Sequence, residues 1–401
     1  MKRLPLEYAV RNLARSPLRL VLSVVGSALV VLLVFAAAAF ARGMEHSLRA
    51  SGSSSTVIVL GAGSEESIER SEIGSSVASL IAASVRGIRT RAGVSYVSAE
   101  VHVQLPVFLA GPATPEGDER HPPEDSEDAP LTLVRGFTPS AFLVHPQVQI
   151  VEGAMPRVGY DEVMVGTLSA TKLGVAPDEL AIGRRLWLAE KLWTITGRFA
   201  APATVMEAEL WAPLTDLKLA TTRETDSCVL VALDTAEFAD IDAFCKQRLD
   251  LELAAMPESE YYSKLGEFYA PVRAVVWITA ALIGLGGLFG GLNTMYAAFA
   301  SRVRELAMLQ CLGYSRPALI VSLVQESVLA TAAGGLLGAA IGLLLLDGVA
   351  VRFSMGAFGL RADAAALSLS LGAAFALGLF GALPPAWRCL RLPIPEALKT
   401  G

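Results

Sequence analysis

Residues 20–41 read LVLSVVGSALVVLLVFAAAAFA, a run of 22 residues without a charged side chain that Arg19 and Arg42 bound. An α-helix needs about 20 apolar residues to cross a hydrocarbon core of about 30 Å. A cleaved signal peptide is the alternative, since alanines close the run, but the apolar part of a signal peptide covers only about 7–15 residues. The run therefore predicts a transmembrane helix over residues 20–41.

Three further apolar runs follow much later in the chain. The 401 residues are 53% hydrophobic and only 18% charged, with a mean hydropathy of +0.49, whereas soluble domains carry about 25% charged residues. This composition excludes a soluble cytoplasmic protein. One run contains Glu326, which is costly in lipid unless it is paired or near an interface. A carboxylate within reach of the cytoplasmic surface and a structural salt bridge both stay open. The predicted helices are 273–300, 318–346 and 364–387.

The charges flanking these helices predict their orientation. The segments before the first helix, between the second and third, and after the fourth are rich in Lys and Arg. Residues 43–272, by contrast, contain 18 basic and 33 acidic residues, a net charge of −15. Because Lys and Arg in short loops stay on the cytoplasmic side, both termini and the middle loop are predicted to be cytoplasmic and the large segment to be outside. The overall charge of −6 argues against a nucleic-acid partner.

The large outer segment is patterned as an α+β domain with mixed sheets. Short β-type runs alternate with turn residues, and residues 186–199 read as a hairpin that turns near Glu190. Residues 257–271 repeat apolar positions at helical spacing and predict a stalk. Residues 111–130 contain five prolines and seven acidic residues, too polar a composition to order itself. The other predicted strands are 56–60, 94–105, 131–134 and 228–233, and the predicted helices are 71–91, part of 162–173, and 236–251.

Two of the four cysteines, Cys228 and Cys245, lie in this outer domain. A disulfide persists in an oxidising compartment, so a Cys228–Cys245 bridge is one interpretation. Two unrelated buried thiols, one on a strand and one on a helix, are the other.

The sequence contains no motif that argues for an enzyme. None of the seven lysines follows a glycine, so there is no Walker A loop for ATP. The four histidines fall in no recognised metal-ligand spacing, and there is no GxSxG nucleophile elbow. We therefore expect no catalytic residue, no metal and no cofactor bound by this chain.

Small residues recur at every fourth position of the membrane helices. Gly334, Gly338 and Gly342 do so in the third helix, and Gly286 and Gly290 in the second. Glycines at this spacing allow helix backbones to approach closely in lipid. These five glycines are predicted to be helix-packing positions.

The cytoplasmic loop 301–317 carries the most specific pattern. Its first part, SRVRELAMLQCL at 301–312, is typical of a short amphipathic helix. Gly313 is suited to end it in the left-handed conformation, and Ser315 with Pro317 to begin the next helix. Such a helix is a candidate contact for a cytoplasmic partner, although many such loops only lie on the lipid headgroups.

The block GGLNTMYAAFASRVRELAMLQCLGYSRPALIVSLVQESVLATAAGGLLGAAIG, residues 290–342, resembles the FtsX-like permease domain of MacB/LolC-type ABC transporters. Residues 134–199, with VRGFTPSAF, EGAMP, DEVMVG, IGRRLWL and WTITGRF, are similar to the periplasmic core domain of the same family. The order of one helix, a large outer domain and three helices is also that of the family. The block's matching positions are Asn293, Thr294, Met295, Arg304, Glu305, Gly313, Ser315, Glu326 and Gly334.

The resemblance implies the permease subunit of an ABC transporter in a bacterial inner membrane. A separate cytoplasmic ATPase of the LolD or MacB type would bind ATP and Mg²⁺, and its closure would move the outer domains through the membrane, a mechanism called mechanotransmission. A second permease copy or paralogue, and in some systems a periplasmic membrane-fusion protein, would complete the assembly, with export or lipid and lipoprotein extraction as the outcome. A membrane sensor or scaffold, as in FtsX-type activation of cell-wall hydrolases, is the alternative function. The coupling residues that the resemblance implies are Arg302, Arg304, Glu305, Leu306, Leu309 and Gly313.

The predicted organisation is thus an all-α membrane part and an α+β extracytoplasmic domain of the MacB-like type. In chain order the predicted segments are an amphipathic cytoplasmic segment (1–19), a helix (20–41), the outer domain with its stalks (42–272), a helix (273–300), the coupling loop (301–317), a helix (318–346), a short external loop (347–363), a helix (364–387) and a cytoplasmic tail (388–401).

Overall fold

A computed structural model of the protein describes residues 6–110, 130–353 and 356–399. The chain divides into two compact units. The unit that we call the membrane unit comprises Met1–Gly43, Pro271–Val349 and Leu360–Gly401. The unit that we call the outer unit comprises Met44–Ala270 and Ala350–Gly359. The polar segment 111–130 lies, apart from its last residue, outside the described residues.

The helices follow the predicted apolar and amphipathic runs. In chain order they are α1 (Leu6–Arg15), α2 (Pro17–Ser51), α3 (Val77–Ser84), α4 (Ala141–Val144), α5 (Ser169–Leu173), α6 (Leu214–Ala220), α7 (Phe238–Gln247), α8 (Glu258–Phe268), α9 (Ala270–Ala300), α10 (Val303–Cys311), α11 (Arg316–Leu346), α12 (Ala364–Cys389) and α13 (Ile394–Lys399).

Four of these helices, α2, α9, α11 and α12, are long and apolar enough to cross a membrane. Each contains one of the four predicted spans. α2 has 35 residues and continues ten residues beyond the predicted end at residue 41, because the residues that follow still favour a helix and Met44 and Leu48 are buried. The predicted stalk at 257–271 is helical as α8, which leads directly into α9.

The strands lie in the outer unit. In chain order they are β1 (Thr56–Gly61), β2 (Thr90–Arg91), β3 (Val94–Ser95), β4 (Val97–Pro106), β5 (Phe108–Leu109), β6 (Leu131–Phe137), β7 (Gln149–Gly153), β8 (Glu162–Gly166), β9 (Arg185–Leu188), β10 (Lys191–Ala200), β11 (Leu210–Pro213), β12 (Cys228–Ala232), β13 (Leu253–Pro257), β14 (Ala350–Phe353) and β15 (Gly356–Gly359).

Eleven of the described strands form one mixed sheet. Its order is β13-β1-β12-β4-β6-β11-β8-β10-β9-β5, and β7 pairs with β10 outside this path. The β10–β8 and β11–β6 pairs are parallel, and the predicted hairpin is present as antiparallel β9–β10 with Lys191 opposite Leu188. The expected α+β fold with mixed strand directions is confirmed.

The sheet has two main apolar cores. Around β1 and β12, buried residues such as Val59 and Val231 pack with Ile81 of α3 and Ile241 of α7. Around β6 and β8 to β11, the core is centred on residues such as Trp193. Burial of apolar side chains stabilises the folded state by about 25 cal/mol per Å² of surface removed from water. These two cores therefore hold the strands of the sheet in position.

Two predicted elements differ from the structure, and a third is present in part. Helix 71–91 is reduced to α3, because Ile73 and Ile88 on its two sides form β-bridges with Asp226 and Leu233. The helix predicted for part of residues 162–173 is present as α5, whereas residues 162–166, all of them buried, form β8 of the sheet. The external loop 347–363 contains the hairpin β14–β15, which belongs to the outer unit.

Candidate functional site: the coupling segment and two buried ion clusters

The predicted coupling helix is present as α10 and has two distinct faces. Val303, Leu306 and Ala307 are buried in an apolar cluster with residues of α9, α11, α12 and α13. Apolar positions three and four apart place these side chains on one face. The opposite face, which we call the coupling face, is exposed. It consists of Arg304, Glu305, Met308, Cys311 and Leu312.

The turn after α10 is set by Gly313, whose φ is +91. Its N–H donates to the carbonyl of Gln310, at 3.0 Å, and the N–H of Tyr314 donates to the carbonyl of Leu309, at 3.2 Å. These two bonds form a Schellman motif, in which glycine is favoured because it tolerates positive φ. Ser315 follows in an extended conformation at the start of α11. The predicted left-handed turn is confirmed, and it fixes the angle between α10 and α11.

The carboxylate of Glu326 lies between two arginines, an arrangement that we call the membrane ion cluster. Arg19 Nη2 lies 2.8 Å from Oε1, and Arg302 Nη1 lies 3.0 Å from Oε2. Arg302 also approaches the exposed Glu305 at 3.3 Å. The side chain of Glu326 is only 5% exposed. Of the two open interpretations of Glu326, the structure therefore has the salt bridge, which joins the start of α2, the start of α10 and the interior of α11.

The six predicted coupling residues thus occupy different environments. The Arg302 guanidinium is bonded within the chain, and Leu306 is 2% exposed. Leu309 is half-buried against the same apolar cluster. Arg304 and Glu305 lie on the coupling face. Contact of any of these residues with an ATPase stays a prediction. Among the described residues of α10, those of the coupling face are the exposed ones.

The glycines of α11 pack against α2. A Cβ added to Gly334 would overlap Ser27 and the carbonyl of Val24, and one added to Gly338 would overlap the carbonyl of Ala28. A Cβ added to Gly342 would overlap the ring of Phe35. These three predicted packing positions bring the backbones of the two helices close together.

The predicted packing glycines of α9 behave differently. No described atom lies within 4 Å of a Cβ added to Gly286 or Gly290, so neither packs within the described chain. Their neighbour Gly287 contacts Val30 of α2 instead. Gly290 borders a cavity of about 240 Å³ between α2, α9, α11 and α12, lined mainly by small residues such as Gly26 and Ser327. Among the described residues, no atom therefore packs at the Cβ positions of Gly286 and Gly290.

A second ion cluster, which we call the outer ion cluster, is buried in the sheet of the outer unit. Arg135 in β6 donates from Nε and Nη2 to Glu209, at 2.7 and 2.8 Å, and from Nη1 to Glu100 in β4, at 2.5 Å. Its guanidinium also lies 5.1 Å from the ring of Trp211. Arg135 is 1% exposed, so these contacts replace the water that it loses on folding.

Two histidines complete this cluster around Glu100. The Nε2 atoms of His102 and His145 lie 3.1 Å from the two carboxylate oxygens. The Nδ1 atom of His145 and Oε1 of Glu258 are 3.9 Å apart, and neither has a hydrogen-bond partner among the described residues. Glu258 begins α8 and accepts from the N–H of Ser53 at 3.0 Å. The cluster thus reaches from the sheet to the stalk and is not fully satisfied by the protein.

Burial and charge shift the pKa values of this cluster in opposite directions. Burial, the largest influence, would raise the pKa of Glu100, but Arg135 and the histidines outweigh it and hold that pKa well below the usual range. The pKa of Glu209 is lowered for the same reason. Burial lowers the pKa of His102 and raises those of Glu258 and Cys228. Glu100 is therefore a carboxylate beside a neutral His102.

Of the two interpretations of Cys228 and Cys245, the structure has two separate buried thiols and not the disulfide bridge. Val229 and Val231 of β12 pack in the same apolar cluster as Cys245 of α7. Successive side chains of a strand point to opposite faces of the sheet. Cys228 therefore faces away from Cys245, towards His102, whose Nε2 lies 4.0 Å from its Sγ.

Local sequence patterns predict neither of the two partners of Glu326 nor the outer ion cluster. Arg19 and Glu326 are 307 positions apart, and no local pattern joins them. In the outer unit one local signal exists, since Glu100 and His102 are two residues apart on a predicted strand and must share a face. An acidic and an imidazole side chain on the buried face of a strand indicate a polar cluster.

Two family models match this chain. The model for the MacB-like periplasmic core domain matches residues 20–246, and the model for the FtsX-like permease C-terminal domain matches residues 277–394. No curated protein matches the chain.

Two solved structures are similar to the chain at low identity. The periplasmic region of MacB from Actinobacillus actinomycetemcomitans is 10% identical, with a TM-score of 0.37 over 55% of this chain and 97% of that one. The extracellular domain of the noncanonic ABC-type transporter YknZ from Gram-positive bacteria is 13% identical, with a TM-score of 0.35 over 50% of this chain and 99% of that one.

The first family model covers more than half of the chain, and the second covers the coupling segment and the last three membrane helices. In this family the ATPase is a separate subunit, the permease spans the membrane, and a large domain lies outside the cytoplasm. The chain belongs to the MacB-like, FtsX-like family of ABC transporter permeases.

Proposed function

We propose that this permease couples ATP hydrolysis by a separate cytoplasmic ATPase to movement of its outer unit. The observation that carries the proposal is the construction of α10, which has one face buried among the ends of α9, α11, α12 and α13 and the other face exposed. A force applied to the coupling face reaches three membrane helices through a close-packed contact. Packed interiors transmit displacement because they compress little.

The membrane ion cluster supports the same role. Arg302 precedes α10 and shares the carboxylate of Glu326 with Arg19 at the start of α2. Displacement of α10 therefore acts on α2 and α11 through charge-assisted hydrogen bonds, which are short and directional. In this proposal Arg302 positions the coupling helix and does not itself contact the ATPase.

Further parts of the proposal concern the assembly. The ATPase would bind ATP and Mg²⁺, both termini would be cytoplasmic, and a second copy or paralogue of this permease would pack along α9. Support for that second copy comes from Gly286, which is exposed and has no described atom within 4 Å of an added Cβ. A periplasmic membrane-fusion protein, with export or lipoprotein extraction as the outcome, is the wider form of the proposal.

The test is a charge placed on the coupling face. Met308 and Leu312 are 47% and 69% exposed, so Met308→Asp and Leu312→Asp should leave stability within about 0.5 kcal/mol of the parent. We expect each to lower ATPase stimulation by about tenfold, equivalent to about 1.4 kcal/mol of coupling energy. The measurement is ATP hydrolysis by the partner that co-purifies with the permease from native membranes, reconstituted in nanodiscs.

The matched control is Leu219→Asp, an equally exposed leucine of α6 in the outer unit, which should leave stimulation unchanged. Leu306→Asp is unsuitable because Leu306 is buried and the variant would disturb packing. If both coupling-face variants bound the ATPase and stimulated it normally, the result would contradict the proposed role of the coupling face. The sensor or scaffold function would then be favoured.

A further inference from the structure

We propose that Glu100, His102 and Cys228 form a binding site for Zn²⁺ inside the outer unit. Two adjacent strands bring the three side chains together. Glu100 and His102 are two residues apart in β4 and so share a face, while Cys228 of β12 stands directly opposite Glu100 in the antiparallel register. All three residues are buried. The spacing in the sequence contains no metal motif because the site depends on this cross-strand pair.

The distances fit zinc coordination. His102 Nε2 lies 3.1 Å from Glu100 Oε2 and 4.0 Å from Cys228 Sγ, and the three ligand atoms lie within 4.8 Å of one another. A tetrahedral zinc ion with bonds of about 2.0–2.3 Å separates its ligand atoms by about 3.3–3.6 Å. Side-chain shifts of up to about 1 Å would therefore bring the three ligand atoms to the separations that zinc requires. Thiolate, imidazole and carboxylate are together a ligand set that zinc accepts.

The charge of the surroundings also favours a cation. The outer ion cluster contains three buried carboxylates, those of Glu100, Glu209 and Glu258, against the single guanidinium of Arg135. Arg135 donates two of its three hydrogen bonds in this cluster to Glu209 and one to Glu100. Buried charges are costly unless they are paired. A divalent ion at Glu100, with loss of the Cys228 thiol proton, would offset much of this negative excess.

Arg135 is compatible with this site. Its Nη1 donates to the same Glu100 oxygen that would bind zinc, but each carboxylate oxygen has two lone pairs and can serve both. A cavity of about 40 Å³ borders His102, Arg135 and Glu209. This volume is enough for a water molecule beside His102. His145, bonded to the other oxygen of Glu100 at 3.1 Å, would hold the carboxylate in position.

The consequence of zinc binding would be a fixed connection between β4 and β12. Metal affinity for the folded state adds directly to its stability, since the three ligands are not assembled in an unfolded chain. This role requires no catalytic step at the site. It would make the outer unit more rigid at the strands that lie between its two apolar cores.

The experiment uses the full chain in detergent, purified with an affinity tag that contains no histidine. The protein is stripped with EDTA, equilibrated with excess ZnCl2, desalted and analysed by mass spectrometry of elements. We expect about one zinc ion per chain for the parent and an affinity at least about tenfold weaker for Cys228→Ser and His102→Gln. Cys245→Ser is the matched control, since it removes the other buried thiol of the outer unit, and it should keep its zinc.

Two further measurements keep the result interpretable if a ligand variant folds poorly. Cobalt(II) added to the stripped parent should give thiolate-to-cobalt charge-transfer absorption, which Cys245→Ser retains and Cys228→Ser loses. Zinc should also raise the melting temperature of the parent and of Cys245→Ser. A parent chain that holds no zinc and gives no cobalt–thiolate band would overturn the proposal. So would undiminished zinc in folded Cys228→Ser.

Discussion

Glu326 shows how a single side chain can link distant parts of the membrane unit. It lies within α11, a helix that is otherwise almost entirely apolar, and is 4% exposed. An isolated carboxylate at such a position is strongly disfavoured. Arg19 and Arg302 satisfy it, and each of those arginines comes from the end of a different helix. One residue that is unfavourable by itself thus specifies where three elements meet.

Glu326→Gln tests this arrangement. The amide leaves two partly buried guanidinium groups without their carboxylate, and we expect a loss of about 1–3 kcal/mol. The measurement is the apparent melting temperature in detergent, with Arg304→Gln as an exposed control. In a double-mutant cycle, Arg302→Gln should cost less when combined with Glu326→Gln than alone. Strictly additive losses of stability from the two substitutions would contradict the contact between Arg302 and Glu326.

Helices α9 and α11 carry the same glycine spacing with different outcomes. In α11 the glycines meet the backbone of α2, whereas Gly286 and Gly290 in α9 have open space beside them. The spacing of the glycines shows that two helix backbones can approach closely. The contact forms only where a neighbouring helix is present. We propose that a second permease supplies the helix that packs against the exposed Gly286.

Gly338→Val and Gly286→Val make a matched pair for this difference. The first places a branched side chain against the carbonyl of Ala28, and overpacking typically costs about 1–3 kcal/mol. We expect it to lower the melting temperature of the permease. Gly286→Val should leave the melting temperature of the monomer unchanged and lower the dimer fraction in native gels or mass photometry. Equal destabilisation by both variants would show that the α9 glycines pack within the chain.

The whole molecule has an outer unit rich in acidic residues and a membrane unit whose loops and tails are basic. This asymmetry predicts the orientation through the positive-inside tendency. In the predicted orientation, α10 and the membrane ion cluster lie on the cytoplasmic side. The outer ion cluster then lies in an extracytoplasmic compartment.

Cysteine labelling tests this orientation directly. In a background without the four native cysteines, single cysteines at the exposed positions Glu237 and Ser259 should react with an impermeant maleimide in intact spheroplasts. Cysteines at Ser301 and Arg316, also exposed, should react only after the membrane is permeabilised. Labelling of the second pair in intact spheroplasts would reverse or exclude the predicted topology.

The sequence by itself determined the features that depend on residues close together along the chain. The four apolar helices follow from run length, because hydrocarbon thickness sets how many apolar residues are needed. The amphipathic α10 and the turn at Gly313 follow from spacing and from the conformational freedom of glycine. The α+β pattern and the β9–β10 hairpin follow from alternation and turn chemistry.

Only the tertiary structure decided which distant side chains meet. The salt bridge of Glu326 with Arg19 closes a separation of 307 positions, and the contact of Cys228 with His102 closes one of 126. Strand register decided which face of the sheet Cys228 occupies, since a shift of one residue moves every side chain to the other face. In the observed register, Cys228 faces His102 and not Cys245. A buried ion or metal cluster is assembled by register and packing, neither of which is encoded in any short stretch of sequence.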